Sequence, residues 1–183
     1  MVGNGAPMPD PVLLSDIRRF LEPIWWAIHH SDLIWHRNES MPKVASHAMC
    51  RHASAFMMRL MNDASRHRSH DRCCSAGRTH EWCVVAGEAD VARLPKVPGY
   101  MHDDPMHYVL MEKEGLTIDL TADQFAVDPH VPHRSDRFFR TRPTPCDPGL
   151  GGSVRSWTRM DGYVDLVGRM AGGMRNATTA LAA

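Results

Sequence analysis

Apolar positions after Ser46 recur at helical spacing. Ala53, Phe56, Met57, Leu60 and Met61 stand at i, i+3, i+4, i+7 and i+8, which defines one buried helix face. Cys50 lies three residues before Ala53 and begins the same stripe. With Ser46 as candidate N-cap, Cys50 falls in or just after the first turn. An earlier helix is predicted from Asp10-Pro11, a side-chain acceptor followed by a proline at the first helical position. Val12, Leu13, Ile17, Phe20 and Leu21 continue it at roughly helical spacing. Pro23 is expected to end or kink that helix, with Ile24–Trp35 as a second, partly helical segment and Arg37–Pro42 as a polar break. Residues 62–80 are polar and read as a loop.

Further on, the period changes to that of strands. Glu81–Ala86 is a short apolar strand stopped by Gly87, and residues 88–105, with three prolines, read as a surface loop. Met106–Glu112 and Leu116–Thr121 form two strands around Lys113-Glu114-Gly115, a three-residue hairpin loop with glycine at its left-handed position. That loop length pairs Glu112 with Leu116, Val109 with Asp119 and His107 with Thr121. His107 and Asp119 then become diagonal neighbours on one face, roughly 7–8 Å apart at the backbone. A two-residue turn would send them to opposite faces. Pro- and Arg-rich connections follow to about Ser153, then a helix near Met160–Met170 and a loose tail over Ala171–Ala183. The expected fold class is α+β, a single domain over residues 1–183 with 1–9 and about 172–183 loose.

Composition removes several functional classes. The 183 residues carry 21 basic and 21 acidic side chains, so no net charge draws the chain to nucleic acid or anionic lipid. Apolar runs such as Ile24–Ile28 are far shorter than the roughly 20 residues of a membrane span. Met1–Pro11 lacks the pattern of a secretory signal. The five cysteines are therefore read as reduced thiols in a cytoplasmic protein. Twelve histidines raise the question of a metal. The best ligand set is Cys73, Cys74, His80 and Cys83 with His67 or His70, but its adjacent cysteines are not the spaced clamp of zinc sites. No metal and no cofactor is assigned. The basic stretches Arg66–Arg78 and Arg134–Arg142 read as solvated loops rather than nucleic-acid surfaces.

Cys50, His107 and Asp119 supply the parts of thiol catalysis. The nucleophile is the thiolate, which a helix N-terminus and a neighbouring imidazole both favour. The imidazole needs a third group to orient it. His52, two residues after Cys50, points about 160° away around the helix and is a poor rival for the base.

These residues resemble the transglutaminase-like superfamily. The resemblance is carried by Met49-Cys50-Arg51-His52-Ala53-Ser54-Ala55-Phe56, Glu81-Trp82-Cys83-Val84-Val85, His107-Tyr108-Val109-Leu110 and Ile118-Asp119-Leu120-Thr121-Ala122-Asp123-Gln124-Phe125. It covers roughly residues 40–126 and is strongest to small bacterial and phage-type members. It implies a papain-like fold, with the cysteine starting a central helix packed on a small antiparallel sheet that bears the histidine and aspartate. It also implies Cys50 as nucleophile, His107 as general base and Asp119 as the orienting acid. The chemistry expected is peptide or isopeptide hydrolysis, deamidation or acyl transfer on a protein or peptide amide, without cofactor. The backbone N–H of Cys50 and the side chain of Gln124 are candidate oxyanion donors. Two alternatives stay open, a non-catalytic protein-binding module on the same fold and a zinc-stabilised adaptor.

Overall fold

The computed structural model describes residues 9–31, 42, 44–70, 82–90, 106–112, 116–134 and 139–180. Among these described residues, four helices occupy Pro11–His30 (α1), Cys50–His70 (α2), Gly151–Trp157 (α3) and Tyr163–Ala180 (α4). Five strands among the same residues, Trp82–Glu88 (β1), Met106–Glu112 (β2), Leu116–Ile118 (β3), His133–Arg134 (β4) and Thr144–Pro145 (β5), form one antiparallel sheet ordered β4-β3-β2-β1-β5. The architecture is mixed α+β. No helix among the described residues is long and apolar enough to cross a membrane.

The sheet has a different cover on each face. Trp82, Val84, Leu110 and Ile118 join a large core with Leu14, Ile17, Trp25, Phe56, Leu60 and the apolar side of α4. Val85 and Val109 face the other way, under Ala122, Phe125, Val127 and Phe139 from the chain that follows β3. Alternation along β1 and β2 produces this division, since successive side chains point to opposite faces.

α1 begins as expected, with Asp10 Oδ1 accepting the Leu13 N–H at 2.8 Å and Pro11 in the first turn. It does not stop at Pro23. The helix runs through to His30, because Leu21 before the proline and Ile24 and Trp25 after it all bury in the same core. That burial outweighs the roughly 3 kcal/mol a proline costs in a helix interior.

α2 also outruns its predicted end, replacing the start of the expected loop over 62–80 with helix to His70. Ala64 is fully buried, and Asp63 accepts from both Arg59 (2.8 Å) and the Tyr163 hydroxyl (2.9 Å), which ties α2 to α4. The tail expected from Ala171 is helical to Ala180, and a separate short helix, α3, precedes it. Tyr163, Leu166, Val167, Met170 and Ala171 are buried at the spacing seen in α2.

β1 passes through Gly87 instead of ending before it, and Gly87 lies opposite His107. A Cβ at Gly87 would sit 2.7 Å from Phe139 Cδ1 and 3.1 Å from Pro143 Cβ, so glycine serves here to admit the Phe139 ring. Gly87→Ala is therefore expected to destabilise the protein by about 1–3 kcal/mol through overpacking. Urea denaturation would show this as a lower midpoint at unchanged slope, and an unaltered midpoint would mean that the ring moves aside freely.

Candidate active site

The hairpin register sets the site. Leu110 pairs with Ile118 and Met111 with Thr117, the pairing expected for a three-residue connection. Residues 113–115, which make that connection, lie outside the described residues. Extending the register puts Val109 opposite Asp119 and brings His107 and Asp119 to one face. Their side chains meet, with His107 Nε2 at 2.7 Å from Asp119 Oδ2.

Asp119 begins the turn that closes β3. Its Oδ1 accepts the Thr121 backbone N–H at 2.9 Å and the Thr121 hydroxyl at 2.7 Å. A carboxylate bonding the N–H two residues ahead is an Asx turn, which explains why the strand expected to reach Thr121 stops at Ile118. Thr121 in turn accepts from Gln124 Nε2 at 3.2 Å. The Thr121 hydroxyl proton is already committed to Asp119, so its oxygen can only accept from Gln124. This fixes the orientation of the Gln124 amide. One N–H of the candidate oxyanion donor is thus spent on the turn, and its buried Oε1 has no partner among the described residues.

Cys50 is the first residue of α2. Ser46 does not cap that helix. It lies in the preceding turn, and Met49 holds the cap position, its carbonyl accepting from Ala53 at 2.8 Å. The three candidate residues are all buried, with Cys50 9% exposed, His107 1% and Asp119 3%. The Phe125 ring meets the His107 imidazole edge-on at 4.9 Å, and Phe139 lies 6.2 Å away.

Burial by itself would lower the His107 pKa. The Asp119 charge and hydrogen bond, joined by the hydrogen bond and charge of Cys50, reverse that and push it up to about 10. Asp119 moves the opposite way. Burial raises it, but His107 and the two Thr121 donors outweigh burial and hold it below the usual carboxylate range. Nε2 is engaged with Asp119, so Nδ1 is the ring nitrogen left to serve the Cys50 thiol. The arrangement can hold an imidazolium beside a sulfur and keep the ring in one orientation.

The other candidates lie elsewhere. His52 stacks on Trp157, ring centroids 5.7 Å apart, and burial followed by the charges of Arg51 and His29 lowers its pKa. Cys73, Cys74 and His80 lie outside the described residues, while Cys83 is half-buried in β1. Among the described residues, no group of three or more His, Cys, Asp or Glu side chains is arranged to hold a metal. Sequence reasoning passed over Thr121 as a support for Asp119. The Asp-x-Thr spacing of an Asx turn was the available signal.

No protein-family model matches this chain, and no curated protein or solved structure matches it significantly.

Proposed function

We propose that this protein is a cytoplasmic thiol-dependent acyl enzyme of transglutaminase-like, papain-type fold, with Cys50 as nucleophile, His107 as base and Asp119 as its orienting acid. The observation that carries the reading is the buried His107 ring, bound to Asp119 on one side and engaged with the first residue of α2 on the other. His107 takes the Cys50 proton, and the sulfur attacks the carbonyl carbon of an amide in a protein or peptide. When the tetrahedral intermediate collapses, the C–N bond breaks. The imidazolium then gives its proton to the departing amine, leaving a thioester on Cys50. Water or a second amine, deprotonated by His107, releases the acyl group as acid or as new amide. The oxyanion contact falls to backbone N–H groups at the start of α2, which have no partner within the helix. Gln124 supports Thr121.

A second reading, a binding module that keeps the fold without turnover, is favoured by the near-complete burial of all three side chains. Limiting iodoacetamide at pH 7 with peptide mass spectrometry separates the two. Burial pushes the Cys83 thiol up, and burial with the neighbouring Asp147 charge does the same for Cys146, so both should react slowly. Cys50 is expected to be modified well ahead of both. If Cys146 is modified first, the binding module becomes the better reading.

A further inference from the structure

Two segments must be brought into register for this site to exist. One is the turn that delivers Cys50, and the other is the turn that carries Asp119. They are linked directly by Asp123. Its Oδ1 accepts the Ser46 hydroxyl at 2.6 Å, across 77 residues of chain. Its Oδ2 accepts from Arg18 Nη2, and Arg18 Nη1 donates to the Leu120 carbonyl at 3.1 Å. Ser46 lies four residues before Cys50, and Asp123 lies four residues after Asp119. Ser46 is fully buried and Arg18 nearly so. Ser46 and Arg18 are thus withdrawn from water, while Asp123 keeps 23% of its side chain exposed and Arg18 also donates to Glu22 at 3.1 Å, so the contacts hold the two buried partners in a fixed geometry.

The turn being held is strained. Ala48, between Ser46 and Cys50, has φ +55°, a left-handed conformation unfavourable to a residue with a Cβ. Such strain persists only where the surroundings over-determine the backbone. The Ser46 carbonyl accepts the Met49 N–H at 3.0 Å, so the turn that contains Ala48 is closed on the residue Asp123 grips.

We infer that Asp123, through Ser46 and Arg18, is a positioning residue that sets Cys50 against the His107–Asp119 pair. This rests on the thiol-enzyme reading above. Neither Ser46 nor Asp123 touches a reacting atom in this scheme. Their effect is on the alignment of the sulfur with the imidazole, where a misplacement of about 1 Å can cost about a hundredfold in rate.

The test compares wild type, Ser46→Ala and Asp123→Asn by iodoacetamide alkylation over pH 5–10, following Cys50, Cys83 and Cys146 separately in each sample. In both variants Cys50 should react roughly ten- to a hundredfold more slowly at pH 7, while Cys83 and Cys146 keep their rates. A role in stability alone would give another pattern, because partial unfolding would speed all three thiols. That outcome, or a Cys50 rate unchanged in both variants, overturns the inference. Should Ser46→Ala fail to fold, Asp123→Asn, which retains an acceptor for Ser46 and loses the ion pair with Arg18, decides alone. Failure of the enzyme reading is seen separately, in wild type, as a Cys50 no faster than Cys146. In that case the His107 ring titration by NMR still tests alignment. It should move down in Ser46→Ala as the imidazole loses its sulfur neighbour, and an unmoved titration overturns the inference.

Discussion

Replacing Asp119 by Asn is expected to slow alkylation of Cys50 by roughly two to four orders of magnitude at pH 7, with little change in the surrounding fold. The side chains are isosteric, so the effect comes from hydrogen-bond polarity. Oδ1 of Asp119 receives two donors from Thr121, and an asparagine must keep its carbonyl oxygen there to accept them. Its NH2 group then faces His107 Nε2, where the carboxylate had accepted a proton. Nε2 becomes an acceptor, and the ring proton moves to Nδ1, the nitrogen left for the thiol. An imidazole in that tautomer cannot take the Cys50 proton. Thr121→Val gives a graded control, since it removes one of the two donors on Oδ1 and leaves the charge. It should cost much less than Asp119→Asn. A Cys50 rate in Asp119→Asn within about threefold of wild type would show that Asp119 does not orient the imidazole.

Much of this site can be read from local sequence, for identifiable reasons. The meeting of His107 and Asp119 follows from strand alternation and the number of residues between two apolar runs, both of which are local. The inward stripe that Cys50 begins follows from helical period alone, and Ala53, Phe56, Met57, Leu60 and Met61 are all buried. Features decided by tertiary packing were not legible. Pro23 looks like a helix end until Ile24 and Trp25 are seen to share a core with Leu21. Ser46 looks like a cap because its partner Asp123 is far away in sequence. Gly87 looks like a strand end because nothing nearby announces the Phe139 ring. α4 is a different case. Its buried positions repeat the α2 spacing, but Gly168, Gly172 and Gly173 weaken its propensity, and burial of Met170 and Ala171 overrides that weakness.

The coupled charges also predict how stability depends on pH. Folding raises the His107 pKa from 6.5 to about 10, so the native state holds this proton more tightly than the unfolded chain. The stabilisation is fully present below about pH 6.5 and is lost as pH rises through about 10. Asp119 has the opposite sign. Its folded pKa lies below 3.8, so its contribution is present above that pH and is lost as pH falls through the folded value. Both shifts come largely from the one contact between His107 and Asp119. This pair should therefore give a plateau in the thermal midpoint between about pH 4 and 6.5, then a decline toward pH 10. Cys50→Ala should leave the start of that decline near pH 6.5 and lower the pH at which it is complete. The hydrogen bond and charge of Cys50 both raise His107, so the imidazole in the variant should titrate clearly below about 10 while its bond to Asp119 remains. Ring resonances followed by NMR, with His107 assigned by its absence in His107→Gln, measure this directly. The expected result is a downward shift in Cys50→Ala accompanied by an alkaline loss of thermal stability that is smaller and complete at a lower pH. Identical titrations in wild type and variant would mean that the sulfur and the imidazole do not share a proton, and the thiol mechanism would lose its base.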